Sequence, residues 1–173
     1  VLADSAKNAS RDFITLATGN TSGGAMRRFQ SILYVAHGTP DGSGALEQAL
    51  REARHNEATL RAVVICPELP ADLGEYKASY EASLLERVSG FIESAKTSLG
   101  ISPSEVPVTV ELECGDVPAV RIVRRVLRDA HDLLIKQVEP TDRRTGFRSL
   151  DMQLLRLCPT PVWLCRPSSR SRT

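Results

Sequence analysis

Ile32-Leu33-Tyr34-Val35-Ala36-His37-Gly38 is the stretch that decides the fold. It is a short apolar, β-branched and aromatic run that passes into Gly38, Pro40, Gly42 and Gly44 and then into a helical pattern. An apolar run of this length bounded by turn residues reads as a strand covered on both faces, the habit of strands in a parallel sheet sandwiched by helices. Ligands in such sheets sit beyond the carboxyl ends of the strands, where the sheet changes direction. His37 and Gly38 are therefore candidate ligand-binding residues.

Outward from that strand, Leu46, Ala49, Leu50 and Ala53 recur at helical spacing, with Ser43 as the expected cap. Leu60 to Cys66 reads as a second strand. A longer helix follows, with Tyr80, Leu84, Leu85, Val88, Phe91, Ile92, Ala95 and Leu99 on one stripe and Gly100 and Pro103 at its end. Pro107 to Leu112 alternates apolar and polar residues, so one face or an edge of that strand is expected to meet water. Gly115-Asp116-Val117-Pro118 reads as a helix start, with Asp116 as cap and Pro118 in the first turn. Ala119, Ile122, Val123, Val126, Leu127 and Ala130 form its apolar stripe, and Arg121, Arg124, Arg125 and Arg128 its outer, solvated face. Asp132 to Val138 is a fourth strand, Ser149 to Leu157 a short helix, and Val162 to Cys165 a last strand. Strands alternating with helices pair in parallel through right-handed crossovers, which gives an α/β, three-layer doubly wound sandwich.

Composition bounds the function. The chain has 173 residues, a length that fits one domain with spare residues at its ends. A net charge of +1 and 5% aromatic residues supply neither the basic field nor the stacking platform of a nucleic-acid binder. No apolar run approaches the roughly 20 residues that cross a bilayer, and a cytoplasmic location is expected. Residues 1–26 read as an N-terminal extension or linker, a remnant of expression or the tail of an upstream domain; 27–166 as the domain; and 167–173 as a flexible tail.

Cys66, Cys114, Cys158 and Cys165 show neither a CxxC pair nor finger-like histidine spacing, so no metal is expected and buried inert thiols are the default. No G-x-S-x-G elbow, P-loop or H-E-x-x-H is present, and a non-enzymatic role is expected.

Five motifs in order then carry a resemblance. They are the opening strand with Ser43-Gly44-Ala45-Leu46-x-x-Ala49, Gly115-Asp116-x-Pro118-Ala119, Asp132-Leu133-Leu134-Ile135, Ser149-Leu150-x-x-x-Leu154-Leu155-Arg156, and Cys158-Pro159-x-Pro161-Val162-Trp163. Over residues 27 to 166 the chain resembles a universal stress protein domain, in particular one half of the tandem-type members that lack the nucleotide loop. The resemblance implies a five-stranded parallel sheet of order 3-2-1-4-5 and a homodimer paired along the last strand. It also places Cys66 and Cys114 at the ends of adjacent strands, about 4.8 Å apart, which makes a redox pair the alternative to inert thiols.

Many members of that family bind ATP through an acidic residue ending the first strand and a G-x2-G-x9-G-[S/T] loop after the fourth. Here His37 stands at the acidic position, and Gln137 to Ser149 keeps Gly146 and Ser149 without the glycine spacing. Side chains in place of those glycines obstruct backbone amides from closing around phosphates, so ATP is disfavoured and no cofactor is expected. Lys136 is a cation in a strand expected to be buried. One reading pairs it with a carboxylate such as Glu139 or Asp41 or lets it snorkel. The other joins His37, Gly38, Lys136, Gln137, Arg148 and Ser149, with Arg143 and Arg144, in a cationic mouth for an unidentified anionic small molecule. The expected function is a non-catalytic binding module in stress adaptation, against an ATP-binding switch or a regulatory domain of a larger chain such as a transporter.

Overall fold

The computed structural model describes residues 28–36, 43–66, 68–138 and 150–166. Five strands, β1 (Ser31–Ala36), β2 (Thr59–Cys66), β3 (Val108–Cys114), β4 (Leu133–Gln137) and β5 (Val162–Cys165), form one sheet. All pairings are parallel and the order is β3-β2-β1-β4-β5, as the resemblance implied. The helices are α1 (Ser43–Asn56), α2 (Lys77–Leu99), α3 (Pro118–Arg128) and α4 (Leu150–Leu157), with a 3-10 turn at Ala71–Tyr76 ahead of α2. Helix α1 includes Ser43 as its first residue instead of following it as a cap.

Strand alternation separates two cores. Ile32, Tyr34, Leu133 and Ile135 face one way and pack with Leu50 of α1 and Val88 and Ile92 of α2. Leu33, Val35 and Leu134 face the other way and pack with Ile122 and Val126 of α3 and Leu154 of α4. Full burial of each such side chain contributes about 1.5–3 kcal/mol. Lys136 has the parity of Leu134, so its side chain is directed at the α3–α4 layer.

The amino end of β1 is held from two sides. Asn56, at the end of α1, accepts from the amides of Arg28 (2.8 Å) and Phe29 (3.2 Å). Asp132, just before β4, accepts from the amides of Gln30 (2.8 Å) and Ser31 (3.1 Å). Phe29 meets Trp163 edge to face at 5.6 Å between ring centroids.

Two expectations for α3 are corrected. Its N-cap is Val117, in the left-handed region at φ 54°, with no side-chain cap bond, so Asp116 does not cap it. Instead the Asp116 carbonyl accepts from Arg121 Nε at 3.2 Å. Nor is the arginine face simply solvated: Arg125 is 7% exposed and bridges Glu111 and Glu113 of β3, the latter at 3.3 Å. β3 is an edge strand with no buried residue, as its alternation led one to expect, and Arg125 pairs with the two carboxylates on its polar face.

His131 lies at the amino end of β4, 2% exposed, with Nδ1 2.8 Å from Ser31 Oγ and Nε2 3.9 Å from Asp129. Burial pushes its pKa below the ordinary 6.5, aided by Arg61 and Arg125 and opposed by Asp129 and Asp132. The unfolded chain therefore takes up this proton first as pH falls. Stability from His131 is complete above about pH 6.5 and declines below it until the lowered folded value is passed. Urea melts at successive pH values are expected to show that decline, and His131→Gln to flatten it.

Candidate functional site

The connection leaving β1 runs toward β2 and β3, whereas β4 and β5 lie on the opposite side of β1. The β1/β4 boundary is therefore the switch point, and its carboxyl end is where a ligand is expected. His37, Gly38, Arg148 and Ser149 lie outside the described residues, as do Glu139, Asp41, Arg143 and Arg144. Lys136 and Gln137 are described. Lys136 pairs in register with Val35, and both it and Gln137 are buried.

Lys136 is 0% exposed. Its Nζ donates to Asp151 Oδ1 at 2.7 Å and to the Gln137 carbonyl at 3.0 Å. Asp151 belongs to the first turn of α4 and is itself buried. An acidic side chain there also complements the helix dipole. Among the described residues its carboxylate partner is Asp151, a residue the sequence reading did not weigh. The signal that could have found it is local: Asp151 precedes Leu154 by three positions, on the face of α4 that meets the sheet.

A second feature occupies the carboxyl ends of β2 and β3. Cys66 and Cys114 form the last rung of that ladder and are joined in a disulfide, with Cα atoms 4.7 Å apart. This corrects the default of inert thiols for these two residues, because the parallel register that sets Leu60 against Val108 brings Cys66 abreast of Cys114. Cys158 and Cys165 are free thiols, and burial pushes the Cys165 thiol above its ordinary pKa. Beside the disulfide lies a cavity of about 140 Å³, with Lys77, Tyr80 and Arg121 among its walls.

Residues 28–166 match the model of the universal stress protein family. The chain belongs to that family. Universal stress protein E of Photorhabdus laumondii is 25% identical over 149 residues, spanning 82% of this chain and 46% of the relative. This universal stress protein chain therefore spans about half the length of the curated relatives it matches. Among solved structures, a universal stress protein in complex with cAMP aligns with a TM-score of 0.62 at 18% identity, covering 81% of this chain and 99% of the other. A universal stress protein family protein from Arabidopsis thaliana with AMP bound aligns with a TM-score of 0.51 at 14% identity, covering 83% and 95%. At such identities the likeness to these universal stress proteins is one of fold.

Proposed function

We propose that this universal stress protein domain is a non-catalytic binding module in stress adaptation, and that its mouth between β1 and β4 takes a small anionic molecule other than ATP. The observation that carries this reading is the buried Lys136–Asp151 pair. A triphosphate needs uncompensated positive charge or a nest of backbone amides. Lys136 spends its charge on Asp151, and the segment from Gln137 to Ser149 lacks the glycine spacing that builds a nest. A less highly charged ligand makes a smaller demand on that mouth.

Equilibrium dialysis tests it: no saturable ATP binding is expected at nucleotide concentrations up to about 1 mM, whereas a dissociation constant near 10 µM, about 7 kcal/mol of binding, would overturn the reading. Native mass spectrometry of the same preparation reads any retained anion and the subunit count.

The rival reading, a nucleotide-binding switch, is favoured by the cAMP and AMP held by the two solved relatives. Dialysis with AMP and cAMP beside ATP separates the two readings. The 46% coverage of the curated relatives favours a module that works beside a second domain. A cytoplasmic location is part of this proposal; no helix among the described residues is long and apolar enough to cross a membrane. Pairing of two copies along β5 is the proposed assembly, since β5 ends the sheet.

A further inference from the structure

The Cys66–Cys114 disulfide, the cavity beside it and the turn that follows it form a unit that the proposed ligand mouth does not use. We infer that this is a thiol-exchange site: a small zwitterionic peptide thiol enters the cavity, opens the disulfide and remains attached to Cys114.

Exposure sets the direction of attack. Cys66 is 2% exposed, while Cys114 is only partly buried, so an incoming thiolate reaches the Cys114 sulfur. Charge sets the class of thiol. Lys77 and Arg121 supply two cations to the cavity wall, and Glu68 and Glu81 two carboxylates. Glu81 Oε1 stands 3.4 Å from Cys114 Sγ and 3.9 Å from Lys77 Nζ, so its repulsion of a thiolate is offset by the ammonium. Walls of both signs suit a molecule that carries carboxylates and an ammonium group together, more than a neutral thiol or a pure anion.

The turn after Cys114 is shaped to keep the guanidinium there. Gly115 has φ +127°, and a Cβ at that position would overlap the Arg121 guanidinium. Arg121 is then fixed by Glu113 at 3.3 Å and by the Asp116 carbonyl at 3.2 Å. A cation is thereby held beside the residue that follows Cys114.

In the exchange, the thiolate forms a new S–S bond to Cys114, the Cys66–Cys114 bond breaks, and Cys66 leaves as a thiolate that takes a proton. One S–S bond is exchanged for another, with no net oxidation or reduction. Peptide thiols of this class are the reductants of the compartment proposed above.

The test uses the unmodified chain and glutathione, followed by intact-mass and peptide mass spectrometry without reductant. A single glutathione adduct on Cys114 is expected, forming several-fold faster than the corresponding 2-mercaptoethanol adduct. Lys77→Gln and Arg121→Gln are each expected to slow the glutathione reaction roughly threefold, the scale of an exposed charge contact, and to leave the mercaptoethanol reaction unchanged. An adduct on Cys66, equal rates for the two thiols, or a disulfide that glutathione leaves intact would overturn the inference. So would free thiols at both positions that glutathione disulfide fails to modify.

Discussion

Lys136→Met is expected to cost about 3–5 kcal/mol of folding free energy, because it removes one member of the buried Lys136–Asp151 ion pair. For a chain of this length that loss lowers the melting temperature by roughly 6–20 °C. The substituted side chain is apolar and of similar length, so cavity formation contributes little and the penalty is chiefly electrostatic. Pairing the change with Asp151→Leu is expected to return stability to within about 1 kcal/mol of the parent, since a buried ion pair and a packed apolar pair are often near equal. Guanidinium melts of the single and double variants check this. A single variant that loses less than about 1 kcal/mol would mean that Asp151 finds water or another donor when Lys136 is gone. The comparison also bears on ligand binding, because any anion lost by Lys136→Met has to be measured on the folded fraction.

Reduction of the Cys66–Cys114 bond is expected to lower stability by about 4 kcal/mol, the chain-entropy value for a crosslink spanning 48 residues. The melting temperature then falls by roughly 8–16 °C. The segment released includes all of α2 and leads into the edge strand β3, so the loss is expected to concentrate there. Differential scanning calorimetry of the oxidised protein, and of protein reduced and alkylated under native conditions, gives the shift. Hydrogen exchange is expected to rise first in β3 and α2 and to leave β1 and β4 protected. Uniform loss of protection over the whole sheet would contradict that distribution.

The architecture was legible because two periods in the sequence do not compete. Runs such as Leu60 to Cys66, rich in valine and isoleucine, and Leu133 to Gln137, bounded by polar residues, are too short to be helices, and the stripe from Ala119 to Val126 repeats every 3.6 residues. Strand order was a different matter, since nothing in the period of a strand names its neighbour; the motif resemblance supplied that.

Misreadings gathered where a side chain's surroundings come from another element. Arg125 lies three residues after buried Ile122, at the border of the apolar stripe, and only the approach of Glu111 and Glu113 on β3 turns a surface cation into a buried one. Lys136 was recognised as anomalous, yet its partner stands 15 positions away on a helix whose placement the intervening loop does not disclose. The disulfide depends on register: Leu60 meets Val108, so that six positions later Cys66 meets Cys114, and a shift of one residue would have separated the sulfurs. Asp116 failed as a cap because the chain makes its bend through Gly115 and Val117, a backbone path that composition alone does not impose.

The two clamps at the start of β1 bear on how such a domain changes over time. Asn56 and Asp132 lock the amino end of the central strand, opposite the proposed ligand mouth. Alignment of the sheet is thereby secured by groups at the end remote from the proposed mouth. Descendants of this chain can exchange residues at the mouth, and trade one small molecule for another, while inheriting the same frame.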